Sequence, residues 1–156
     1  MAQSAGTTNY LGSSPSQRHV ISQTQALTII NGSAAESAAI NIPVNIAVTD
    51  PSGTLVAFLR TDNAFPASID IAMKKARTVS LFNGAFTTAN LYELTQPGKS
   101  LYAIQETNQG LIVFGGGIPV VVDGYFVGAI GVSGGTTDED VQIATAGLKA
   151  LEGKGS

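Results

Sequence analysis

The sequence predicts an α/β chain of the α+β type, with an antiparallel sheet covered by helices. Three observations carry this reading. The elements run in the order helix, hairpin, helices, hairpin, helix. Two turn signals, Asp50-Pro-Ser-Gly53 and Asp123-Gly124, lie between strand-like runs and mark hairpins, whose strands pair antiparallel. The alternating strand-helix order of a doubly wound nucleotide fold is missing.

The elements follow in turn. Residues 1–16 are small and polar and are expected to form a flexible N-terminal arm, with residues 17–156 forming one domain. Ser22 and Gln25 make a capping box that opens a helix. Leu27, Ile30, Ala34 and Ala38 give it an apolar stripe, and Asn31-Gly32 is expected to split or bend it. Val44, Ile46 and Val48 alternate with Asn45, Ala47 and Thr49 as a strand, and Leu55 to Arg60 returns as the second. Pro66 suits the first turn of the next helix. Ile69, Ala72, Met73, Ala76 and Val79 line one face of it, with Met73 expected in the core, and Asp70 and Lys74 are spaced to pair on its surface. Gly84 ends it, and Thr87 to Leu94 starts a short helix.

Leu111 to Phe114 reads as a short apolar strand. Val120 to Val122 and Tyr125 to Val132 flank Asp123-Gly124, whose type I′ turn needs positive φ at both positions. Thr136 and Glu139 form a second capping box. Val141, Ala144, Leu148 and Leu151 give the closing helix its stripe.

Composition narrows the function classes. The chain has 156 residues, of which 44% are hydrophobic and 12% charged. So little charge suggests that apolar surface is buried between subunits, so a homo-oligomer is expected. The net charge of −3 and the absence of a basic stripe argue against nucleic acid as a partner. There is no cysteine and a single histidine, so thiolate chemistry and multi-histidine metal sites within one chain are excluded. The N-terminus lacks a basic start followed by an apolar run. No apolar run reaches the roughly 20 residues that a membrane helix needs. A cytoplasmic location without a membrane partner is expected.

The segment from Gly115-Gly-Gly-Ile-Pro through Asp123-Gly-Tyr-Phe-Val-Gly-Ala-Ile-Gly-Val-Ser to Gly135 closely resembles the signature of the GlcG/HbpS haem-binding-protein-like family. The likeness extends upstream through Arg60-Thr-Asp-Asn-Ala and Ser68 to Thr78, and downstream to Asp140. It implies a profilin-like α-β-α sandwich, assembled from dimers toward an octamer. It also implies a small-molecule ligand, with haem or a related tetrapyrrole as the candidate cofactor.

Candidate site residues come from the pattern itself. Gly115, Gly116 and Gly117 lack Cβ atoms, so their N–H groups can approach a ligand closely, with Ile118 next in line. Lys75, Thr78 and Phe82 share one flank of the second helix. Lys75 is placed to hold an acid group of a ligand, to pair with a buried carboxylate such as Asp62, or merely to snorkel at the core edge. Arg60 and Asp62 close the first hairpin and are expected to form the opposite wall. His19 is chemically suited to ligate haem iron, although a lone histidine in a polar arm is more often solvated. Whether the chain is an enzyme stays open. The alternative is a cofactor-independent lyase or isomerase acting on a small organic acid or carbonyl compound. Lys75, Arg60 and Asp62 would then be its catalytic candidates, and the glycine N–H groups would stabilise an enolate.

Overall fold

The computed structural model describes residues 14–154, so most of the arm expected over residues 1–16 lies outside the described residues. Pro15–Gln17 form a short 3-10 turn. Helix α1 then spans Gln23–Ile40, opened by the Ser22/Gln25 box. Strands β1 (Asn45–Thr49) and β2 (Leu55–Arg60) follow, joined at Asp50. The Asp50 carboxylate accepts from the N–H groups of Ser52 and Thr54, which fixes this turn. Helices α2 (Ala67–Leu81) and α3 (Thr88–Leu94) come next. Helix α3 starts from a third capping box, Thr87 with Asn90. Strands β3 (Gly117–Val122) and β4 (Tyr125–Ser133) and helix α4 (Thr137–Gly153) complete the chain. The turn between β3 and β4 has φ of 52° at Asp123 and 83° at Gly124, the left-handed pair that the dipeptide predicts.

The four strands form one antiparallel sheet in the order β2-β1-β4-β3. Its central strands are buried on both faces. On one face Val44, Ile46, Val48, Ile130 and Val132 pack against Ile29 and Ile30 of α1 and Ile143 and Ala144 of α4. On the other, Ala47 and Ala129 pack against Ala72, Ala76 and Val79 of α2. Helices therefore cover both faces, as expected. The α2 face is lined by small residues and its helix lies close to the strands. A Cβ on Gly131 of β4 would stand 2.1 Å from the Ala72 carbonyl oxygen.

Several local expectations are corrected. Helix α1 runs unbroken through Asn31-Gly32. Gly32 is a close-approach site, because a Cβ there would meet the Ala150 Cβ of α4 at 2.5 Å. Leu27 points outward at 52% exposure, and the buried face of α1 is Ala26, Ile29, Ile30, Ser33 and Ser37. Met73 is 36% exposed and lies outside the core. The stripe of α2 is rotated toward Ser68, Ala72, Lys75, Ala76 and Val79. Residues 111–114 form no strand. Instead this stretch is tied to α2 by a hydrogen bond from the Ile112 N–H to Thr78 Oγ1.

Candidate functional site

The buried face of α2 carries one charge, Lys75, between Ala72 and Ala76 of the same stripe. The N-terminal turn of α4 likewise places Asp140 on a buried stripe that continues through Ile143, Ala144 and Gly147. The fold sets these two against each other across the end of β4. Lys75 Nζ lies 2.8 Å from Asp140 Oδ2 and donates to the Val132 carbonyl at 2.7 Å. It also sits over the Phe114 ring, 5.1 Å from its centroid. The lysine side chain is 0% exposed and that of Asp140 3%. The second carboxylate oxygen of Asp140 accepts the Gly135 N–H at 2.9 Å.

Burial pushes Lys75 below its ordinary range, against the pull of Asp140. Burial likewise pushes Asp140 up, against Lys75 and the Gly135 N–H. Desolvation is the larger influence on both, as expected for an ion pair removed from water.

The glycine segment closes over this pair. A Cβ on Gly116 would stand 2.6 Å from Lys75 Nζ and 2.5 Å from the Val132 oxygen. Gly116 (φ +131°) also accepts the Val132 N–H through its carbonyl. Gly117 donates to Thr88 Oγ1 at 2.8 Å and would clash with the Lys75 backbone if it carried a Cβ. Gly115 lies between Ala89 of α3 and Val141 of α4. Gly116 and Gly117 are thus packed on Lys75, but the lysine amine, the Gly116 carbonyl and the Gly117 N–H are each bonded to other protein groups.

The other predicted residues scatter. Thr78 is buried and holds Ile112, while Phe82 packs edge-on against Phe86. Ile118 packs against the core on the α1 and α4 side. The partner of Lys75 is Asp140, so the pairing expected with Asp62 is corrected. Arg60 lies on β2, the sheet edge opposite β3. Three strand spacings, roughly 14 Å, separate that edge from the glycine edge. Asp62 lines a cleft of about 250 Å³ with Asn63, Pro43 and Asn41, beside the end of α1. The expected opposite wall is therefore not assembled around Lys75. Asp140 was missed as a site residue, although a carboxylate on an apolar helical stripe was the signal for it.

Two further clefts border these elements. One, of about 390 Å³, is lined by Phe114, Gly115, Ala89, Tyr92 and Val141, with Thr137 and Asp138 of α4 at its end. The other, of about 350 Å³, is lined by residues 119–123, Leu148 and Leu151, with Gln25 and Glu152. Close to the second, the exposed His19 ring stacks on Tyr125 with centroids 3.9 Å apart. Tyr125 pairs in the sheet with Val122, which lines the cleft.

A helix-covered antiparallel sheet with a glycine connector closing over a lysine defines the chain as an α-β-α sandwich with ligand-sized clefts. Residues 21–149 match the profile of the family described as haem degrading protein HbpS-like, and the chain belongs to that family. Protein GlcG of Escherichia coli is 38% identical over 114 residues, which span 73% of this chain and 81% of GlcG. Among solved structures, Klebsiella pneumoniae protein ORFY superimposes with a TM-score of 0.82 at 36% identity, covering 90% of this chain and 95% of ORFY. The haem complex of PduOC superimposes with a TM-score of 0.79 at 30% identity, covering 84% and 94% of the two chains.

Proposed function

We propose that this chain binds a small molecule, with haem or a related tetrapyrrole as the ligand and His19 as the residue that meets the iron. One observation carries the proposal: the only imidazole of the chain is exposed and packed on Tyr125, whose strand partner Val122 lines a cleft of mixed polar and apolar walls. The donor set fits. Imidazole is an effective axial ligand. A cleft of about 350 Å³ falls within the range of small-molecule sites. The haem complex of PduOC, at 30% identity, supports the same ligand class. Bound haem would supply the redox chemistry; the chain would contribute the imidazole, its orientation on Tyr125 and the apolar wall from Val121 to Leu151.

The test is titration of hemin into the purified protein, followed at the Soret band. Saturable binding is expected, weakened at least tenfold in His19→Ala with an unchanged circular dichroism spectrum. Equal affinity in the variant removes His19 from the site. No Soret change in the wild type removes haem.

The proposal also keeps the homo-oligomer and the cytoplasmic location expected from the sequence. Val20, Phe65, Tyr102 and Val121 are each more than half exposed, an amount of apolar surface that self-association would cover. No described helix is long and apolar enough to cross a membrane. Light scattering is expected to give a mass of at least two chains at micromolar concentration, and a monomer would refute the assembly.

A further inference from the structure

The haem proposal leaves the buried amine unused. Lys75 cannot serve as a simple anion holder, because Asp140 already neutralises it at 2.8 Å. An incoming carboxylate would bring a second, uncompensated negative charge into a dry site. A neutral ligand meets no such penalty. One side chain connects the amine to a space for such a ligand. Phe114 faces Nζ at 5.1 Å and also lines the 390 Å³ cleft beside Tyr92 and Val141. Phe114 is 36% exposed, so its ring has solvent on one side into which it can turn. Gly116 seats tightly on Nζ, since a Cβ there would stand 2.6 Å from it, so the way to the amine is on the Phe114 side.

We infer that Lys75 is a nucleophilic amine that condenses with a small, mainly apolar aldehyde or ketone admitted from this cleft when Phe114 turns aside. Asp140 Oδ2 takes one proton from the ammonium, which frees the nitrogen lone pair. The nitrogen bonds to the carbonyl carbon as the C=O π electrons move to oxygen, and Asp140 returns the proton to that oxygen. The carbinolamine hydroxyl then leaves as water, taking a further proton from the nitrogen by way of Asp140. The nitrogen lone pair forms the C=N bond as the water departs, and the one hydrogen left on the nitrogen makes the product the iminium. The net change is ammonium plus carbonyl to iminium plus water. The product is again a cation, so Asp140 keeps its partner and no charge is stranded. The burial that lowers the proton affinity of Lys75 also favours the neutral, attacking amine. The class of ligand follows from the walls, which are aromatic and aliphatic apart from Thr137 and Asp138.

The test uses propanal as the probe, with sodium borohydride to fix any imine, on the intact wild-type chain at neutral pH. Peptide mass spectrometry then reads each lysine. Lys75 is expected to be propylated several-fold faster than the exposed Lys99, and faster still in Phe114→Ala, whose fold is checked by circular dichroism. A Lys75 that stays unmodified in the wild type, or reacts more slowly than Lys99, overturns the inference. An equal rate in Phe114→Ala overturns the role of Phe114 as the gate. No haem enters this experiment, so its outcome is separate from that of the hemin titration.

Discussion

Lys75→Met is expected to destabilise the chain by about 3–5 kcal/mol, because it removes the cation and leaves Asp140 buried as an unpaired carboxylate. Methionine has the length and flexibility to follow the same path between Ala72 and Gly116, so the loss is electrostatic more than steric. For a domain of this size the cost corresponds to a fall of about 6–20 °C in Tm. Asp140→Leu should cost a similar amount by stranding the ammonium. The informative variant is the double one. Replacing both charges removes the desolvation that opposes the pair, a change worth about 1–4 kcal/mol in favour of folding. It also orphans the Gly135 N–H and the outward lone pair of the Val132 carbonyl, at about 1–3 kcal/mol for each buried group left unsatisfied. The double variant should therefore recover much of the loss and be more stable than either single one. A double variant whose loss equals the sum of the two single losses would show that Lys75 and Asp140 act independently. Thermal denaturation of the four proteins closes the cycle.

The same pair shows how far the sequence could be read. Both charges sit on apolar helical stripes, Lys75 beside Ala72, Ala76 and Val79, and Asp140 three, four and seven residues before Ile143, Ala144 and Gly147. Periodicity exposes each anomaly. It does not say that residues 65 apart on two helices meet across the end of β4, and Asp62 was the carboxylate named as the partner. Hairpins and caps were legible because their chemistry is local: Asp123-Gly124 takes positive φ, and Ser22 and Thr136 accept the N–H groups three residues on. Gly32 was misread for the opposite reason. Its lack of a side chain serves contact with α4, which no local rule reveals, so a helix breaker by propensity became a packing site. The strand expected over residues 111–114 failed in the same way, since the Ile112 N–H turns to Thr78 Oγ1 of α2 and the Leu111 N–H to the Gln105 carbonyl, not to a neighbouring strand.

Gly131→Val should cost about 3 kcal/mol or more, through steric conflict. Gly131 lies on β4 beneath α2, and a Cβ there would stand 2.1 Å from the Ala72 carbonyl oxygen and 2.6 Å from the Ala76 nitrogen. Both are backbone atoms in the middle of a helix, so neither can swing aside as a side-chain tip would. The helix has to lift as a body. Lifting it draws Lys75 away from the Val132 carbonyl and from Asp140, so the steric cost brings an electrostatic one with it. Gly153→Val is the control, because a Cβ at that position meets nothing within 4 Å and its φ is not in the left-handed range. Its effect should stay within about 0.5 kcal/mol. Urea denaturation compares the two, and equal midpoints would refute the close seating of α2 on β4. Should Gly131→Val remain folded enough to label, the displaced helix predicts a further consequence. The Lys75 amine would be exposed to propanal without any turn of Phe114, so the dependence of its labelling on Phe114→Ala should disappear.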